Sequence, residues 1–194
     1  MKPLTPAIPH AIIMMGIPGS GKSTFAERFA ETFQAPIINM PTLMRESGLP
    51  SAKANLIAKS LLKEIIKTKR TFIFEGNTHT QDLRADLIRD LTKKGYKTLL
   101  VWVQTDTTES LRRALKPHPK GSSMTNEAFD AAIDAFEPPQ KKEKFIVISG
   151  KHTFGTQLKI VLKQLALAQP RPAIGPPAPR TSASTPPPRT VGRR

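Results

Sequence analysis

Three glycines, a lysine and a hydroxyl fall at a spacing suited to holding a polyphosphate. Gly16-Ile17-Pro18-Gly19-Ser20-Gly21-Lys22-Ser23 fills the pattern G-x-x-x-x-G-K-[ST] in full, and Thr24 continues it. Gly16, Gly19 and Gly21 let the backbone turn tightly and approach an anion closely. The N–H groups of such a loop converge on phosphates, reinforced by the positive end of the helix that opens there. Lys22 would reach the β- and γ-phosphates, and the Ser23 hydroxyl would ligate Mg²⁺. The expectation is a nucleoside triphosphate, ATP with Mg²⁺, bound by residues Gly16 to Thr24.

The elements around the loop agree with that chemistry. Ala11 to Met15 is an apolar run ending at Gly16, which predicts a buried parallel strand entering a loop. Lys22 to Phe33 predicts a helix with Phe25, Phe29 and Phe33 in steps of four. Further strands are predicted at Pro36–Asn39, Thr71–Phe74, Thr98–Val103 and Phe145–Ile148. Helices are predicted at Ser51–Thr68, Gln81–Lys94, Thr107–Leu115, Thr125–Phe136 and Thr153–Ala168. Ser51 is the expected cap of its helix, with Leu56, Leu61, Leu62, Ile65 and Ile66 facing inward. Pro41 to Pro50 reads as irregular, and Lys116 to Ser123 as a break rich in proline, glycine and serine. This alternation predicts an α/β, three-layer P-loop NTPase fold with a mostly parallel five-stranded sheet over residues 1–168.

Composition narrows the function classes. The chain has 194 residues and no cysteine, so thiolate zinc sites, disulfides and cysteine nucleophiles are excluded. No run is long and apolar enough for a membrane-spanning helix, and the first residues lack the apolar core of a secretory signal. A cytoplasmic location is the resulting expectation, with no membrane partner. Net charge is +15, and no acidic residue follows Glu143. Residues 169–194 are dominated by Pro, Ala, Ser, Thr and Arg, which predicts a disordered basic tail. Such a balance suits a polyanionic partner such as nucleic acid.

Several segments carry a family resemblance. The loop with its following Thr-Phe-Ala resembles the small P-loop kinases related to the 5′-kinase domain of polynucleotide kinase, and also zeta-toxin and gluconate-kinase-like proteins. Glu75-Gly76-Asn77 is similar to that group's segment after the third strand. Val101-Trp102-Val103-Gln104 with Arg112 and Arg113 looks like its strand-to-lid transition, and Phe136-Glu137-Pro138-Pro139 with Glu143 like the segment after the lid. The resemblance covers most of residues 11–165. It implies a kinase that moves the γ-phosphate of ATP to a hydroxyl acceptor. It also implies an aspartate just after the second strand as base and an arginine three residues later on the reacting phosphate. Arg45 stands at the arginine position. Thr42 stands where the aspartate is expected, and a threonine is no base near neutral pH.

Three routes stay open from the sequence. Another carboxylate acts, Glu46 and Glu75 being nearest in sequence; His79 acts; or the chain binds ATP as a module or switch with weak or lost transfer. Glu75 is expected at Mg²⁺, through water, or at a water nucleophile. Asn77 either binds substrate or makes a turn, and Arg84 either faces the acceptor or lies on a solvated helix face. Arg112, Arg113, Lys116 and Lys120 form a basic lid that can neutralise charge during transfer. Arg112 and Arg113 point about 100° apart on a helix; the resemblance favours Arg113 or Lys116 at the phosphates, with Arg112 bracing the fold. The acceptor classes are a polynucleotide 5′ end approached by the basic lid and tail, a small molecule, or a nucleotide sugar. Trp102 lies in a predicted buried strand, which would leave base stacking to phenylalanines or arginines.

Overall fold

Strands made of Ile, Val, Leu and Phe without polar alternation cannot leave a face in water, so they must lie between two helical layers. The computed structural model describes residues 8–117 and 124–167 and bears this out. The strands are β1 (His10–Met15), β2 (Ile37–Asn39), β3 (Phe72–Glu75), β4 (Lys97–Gln104) and β5 (Phe145–Ser149). They form one parallel sheet in the order β2-β3-β1-β4-β5. β1 is buried along its whole length.

The helices are α1 (Lys22–Phe33), α2 (Met40–Ser47), α3 (Ser51–Lys67), α4 (Gln81–Lys93), α5 (Thr107–Ala114), α6 (Asn126–Asp134) and α7 (Phe154–Leu167). The side-chain alternation of β1 splits the core in two. Ile12 and Met14 pack with Phe25, Phe29 and Phe33 of α1 and Val161 and Leu165 of α7. Ala11, Ile13 and Met15 pack with Ala54, Ala58 and Ile66 of α3 and Leu91 of α4. Chain order reverses at β1, whose neighbours are β3 and β4. Ligands of open α/β sheets bind at the carboxyl ends of strands at such a switch point, which is where the Gly16–Gly21 loop stands.

Two expectations need correction. The stretch expected to be irregular, 41–50, contains α2. Asn39 caps it by accepting the Thr42 N–H at 3.0 Å, Pro41 occupies the first turn, and Gly48 closes it at φ 65°. Proline in a first turn forfeits only an N–H that would have no helical partner, so it opens the helix rather than preventing it. The inner face of α3 is also different. Leu56 and Leu61 are 65% and 45% exposed, while Ala54, Ala58 and Ile66 are buried and Leu62 and Ile65 partly so. Alanines let α3 approach the sheet closely, which turns the leucines outward. Pro50, not Ser51, is the residue at its N-cap, and it makes no side-chain cap bond.

Among the described residues no helix is long and apolar enough to cross a membrane. Lys120 and the expected tail at 169–194 lie outside the described residues.

The phenylalanine ladder of α1 makes a direct stability test. Phe25 and Phe29 have ring centroids 6.0 Å apart, Phe29 and Phe33 4.7 Å, and Phe29 is fully buried. Phe29→Ala is expected to lower unfolding free energy by about 3–5 kcal/mol, read by urea denaturation. Phe29→Leu, which keeps most of the volume, should cost less than half of that.

Candidate active site

The site begins where β1 ends. Gly16, Gly19 and Gly21 all have positive φ, and α1 opens at Lys22 directly behind them. At Gly19, φ is 72° and a Cβ would overlap the Ser110 carbonyl oxygen of α5. The phosphate loop is therefore seated against the lid-side helix with no room for a side chain. On its other flank Gly150, in the turn after β5, presses on the Ser20 carbonyl, where a Cβ would again overlap. Thr105 Oγ1 donates to that same carbonyl at 2.9 Å, and the Gly150 N–H donates to Gln104 at 2.8 Å. Neither Gly150 nor Thr105 was singled out from the sequence, because each meets the loop only when β4 and β5 are laid beside β1.

Lys22 Nζ donates to the Ile17 carbonyl at 2.8 Å, folding back over the loop it would share with phosphate oxygens. Ser23 Oγ donates to Glu75 Oε1 at 3.0 Å. Glu75 is 2% exposed, and its Oε2 is buried without a partner among the described residues. Burial raises the Glu75 pKa, opposed by the Lys22 charge and the Ser23 hydrogen bond. Burial lowers the Lys22 pKa, opposed by Glu75. An orphaned buried carboxylate oxygen beside a hydroxyl fits a hydrated Mg²⁺. Among the described residues no three His, Cys, Asp or Glu side chains cluster as a metal cage. A cation here would draw most ligands from phosphate oxygens and water, which is the habit of Mg²⁺. Ser23 and Glu75 are the residues that would hold it.

Beyond the loop lies the start of α2. Arg45 Nη2 donates to Thr42 Oγ1 at 3.0 Å, and Arg45 Nε is buried without a partner. Thr42 Oγ1 lies 3.4 Å from Glu27 Oε1, and Asn39 Nδ2 donates to the same oxygen at 3.3 Å. Glu27 is one helical turn after Ser23, so both face the ends of β2 and β3. The Asn39–Glu75 register pair in the sheet sets these groups side by side. Glu27 was not among the carboxylates considered from sequence. Its link to Thr42 spans 15 positions, and only the i, i+4 relation to Ser23 hinted at it.

The other proposed carriers lie apart from this cluster. Glu46 and His79 are exposed. Asn77 Nδ2 donates to Asn55 of α3 at 3.1 Å, tying the turn after β3 to that helix. Arg84 does not lie on a solvated face: its side chain is fully buried. Its guanidinium grips Glu143 through two bonds of 2.7 and 2.9 Å and donates to the Thr78 and Glu137 carbonyls, each at 3.0 Å. Thr78 Oγ1 in turn donates to Met14 O at 2.9 Å. Arg84 thus ties the segment after α6 to the turn after β3, and that turn to the end of β1.

The two adjacent arginines of α5 diverge. Arg113 Nη1 donates to Gly150 O at 2.9 Å and Nε to Glu109 at 2.6 Å, beside Gly21. Arg112 is 58% exposed and pairs with Glu109 alone. Those bonds hold the Glu109 carboxyl down at about 2. Lys116 is exposed just past α5. Trp102 is not buried as expected. It is only partly buried, at the core's edge, with Phe136 and Phe145 rings at 6.4 and 6.0 Å. With Ile17, Pro138 and Lys151 it lines a cleft of about 480 Å³ beside the loop.

Comparison with known proteins follows these features. A family described as an AAA domain matches residues 12–139. An adenylate kinase of Lactobacillus johnsonii is 28% identical over a match covering 52% of this chain and 54% of that protein, so the chain spans about half the length of the curated relative it matches. Solved structures share the fold. Gluconokinase from Sinorhizobium meliloti 1021 has a TM-score of 0.58 at 18% identity, covering 82% of this chain and 93% of that one. Chaetomium thermophilum Kti12, solved in complex with ADP-AlF3, has a TM-score of 0.63 at 16% identity, covering 81% and 98%.

The Arg84–Glu143 pair carries a pH test. The Arg84 hydrogen bonds are the main cause holding the Glu143 carboxyl below the ordinary glutamate value of 4.5. That stabilisation is complete above pH 4.5 and is lost as pH falls through the depressed value. Glu143→Gln leaves a buried guanidinium without its counter-charge and is expected to cost about 3 kcal/mol at pH 7. In thermal melts the gap from wild type should narrow steadily below pH 4.5. A gap independent of pH would refute the pairing.

Proposed function

The chain belongs to the AAA domain family, and from that premise we propose that it is a P-loop kinase that transfers the γ-phosphate of ATP to an alcohol hydroxyl. The observation that carries this reading is the group at the switch point: Lys22 and Ser23 beside buried Glu75, whose second oxygen has no partner. A phosphate loop alone would suit any nucleotide binder. A buried carboxylate one hydrogen bond from the loop serine suits one that positions Mg²⁺ for transfer.

The roles follow from placement. Residues Gly16 to Thr24 wrap the triphosphate, and Lys22 exchanges its bond to Ile17 O for phosphate oxygens. Ser23 and Glu75 would hold Mg²⁺, which would supply charge neutralisation for the phosphates when bound. Arg45 approaches the transferred group from α2, and Arg113 from α5. Charge and position, rather than covalent participation, supply most of the acceleration in phosphoryl transfer. The net charge of +15 supports an anionic acceptor, the 5′-hydroxyl end of a polynucleotide being the one that suits it best. The second reading, an ATP-dependent binding module or switch, rests on Thr42 at the place of the family's aspartate.

The test is transfer of label from γ-labelled ATP with Mg²⁺ to a panel of 5′-hydroxyl DNA, 5′-hydroxyl RNA, D-gluconate and AMP. Label on an oligonucleotide end or on gluconate, abolished by Lys22→Ala, is the expected result. Transfer to an oligonucleotide should weaken steeply between ~50 and ~200 mM salt. Tight ATP binding without transfer to any member would establish the switch instead.

A further inference from the structure

Resting on the kinase reading, we propose that Glu27 is the catalytic base of the site and that its carboxylate restricts the acceptor to a neutral hydroxyl. The position where a base is expected holds Thr42, but the space beside it is not without a carboxylate. Glu27 reaches it from α1. Its Oε1 accepts from Asn39 Nδ2 at 3.3 Å and lies 3.4 Å from Thr42 Oγ1, while its Oε2 has no hydrogen bond among the described residues.

The clamp is not interchangeable in direction. Asn39 Oδ1 is committed to capping the Thr42 N–H at 3.0 Å, so its Nδ2 must be the atom turned to Glu27. Thr42 Oγ1 receives a hydrogen from Arg45 Nη2 at 3.0 Å and so has its own hydrogen to give to Glu27. Arg45, Thr42, Glu27 and Asn39 thus form one chain of hydrogen bonds, and Thr42 is its bridge. The chain links the exposed Glu27 carboxylate, one turn of α1 from Ser23, to the Arg45 guanidinium. Glu27 is close enough to Glu75 for its charge to act on that group.

A hydroxyl placed between Glu27 Oε2 and the γ-phosphate would donate its hydrogen to that oxygen. In the transfer the acceptor O–H bond breaks and its proton passes to Glu27. The acceptor oxygen forms a bond to the γ-phosphorus. The bond from that phosphorus to the β,γ-bridging oxygen breaks with its electron pair left on ADP. A phosphate acceptor such as AMP needs no base and brings its own negative charge, which Glu27 would repel at contact distance. One carboxylate therefore both assists an alcohol and discriminates against a phosphomonoester.

The experiment compares wild type, Glu27→Gln, Thr42→Asp and the double variant on the same panel, each across a Mg²⁺ titration. Melting temperature and binding of a non-hydrolysable ATP analogue establish that each is folded. Wild type should label a hydroxyl member and leave AMP unlabelled. Glu27→Gln should lower kcat about 100-fold with KM for ATP unchanged. Adding Thr42→Asp to it should restore at least about tenfold, because a carboxylate then stands across the same contact. Full kcat in Glu27→Gln, with Lys22→Ala inactive, would overturn the assignment and leave the kinase reading standing. Activity of Glu27→Gln restored by more Mg²⁺ would place the carboxylate on the cation and overturn it too. AMP labelled as fast as the hydroxyl would overturn the selectivity. No transfer by wild type to any member would overturn the kinase reading and this assignment together.

Discussion

Glu75 is an acid kept almost entirely from water at the end of a parallel strand, and the site is organised around that constraint. A carboxylate in such a place must be neutralised, hydrogen-bonded or reserved for a cation. Ser23 supplies one bond, Lys22 supplies opposing charge, and one oxygen is left without a partner. Lys22 and Ser23 belong to the loop, so the loop and the carboxylate need each other. The sheet holds them together through the Met14–Glu75 register pair. β1 and β3 are both buried and paired in register, so the sheet sets this geometry.

The parts that surround the nucleotide are tied to that centre by specific bonds rather than by general packing. Gly19 lets the loop lie against α5, and Gly150 lets the turn after β5 lie against Ser20. Arg113 then spans from α5 to the Gly150 carbonyl. On the opposite face, Arg84 is buried and fully engaged, joining α4, the turn after β3 and the segment after α6. A guanidinium is suited to this because its planar fork serves several acceptors at once. The apolar layers supply cohesion, and these polar joints set angles.

Near the end of β2, side chains of two helices meet in one hydrogen-bonded chain. The threonine after β2 has no acid of its own, yet it bridges the arginine of α2 to the glutamate of α1. What such a site requires is a carboxylate at a point in space. α1 is proposed to deliver it here, where α2 carries Thr42.

Much of this was legible in the residues. The Gly16–Ser23 pattern, the strand before it and the helix after it fixed the phosphate site, because those requirements are local and span fewer than 25 positions. The α/β alternation and all five strands followed from apolar runs, and α1 matched its phenylalanine spacing. What failed were inferences that needed neighbours. Pro41 suggested a break, where Asn39 and the first-turn position made it a helix start. Leu56 and Leu61 looked like core, because periodicity gives a stripe but not which flank meets the sheet. Arg84, Gly150 and Glu27 draw their roles from contacts with positions 15 to 130 residues away. Sequence determined that one loop carries the donors suited to a polyphosphate, since that pattern is local. Only the tertiary structure decided that Glu27 stands beside Thr42, since that depends on how α1 and α2 are set against the ends of β2 and β3.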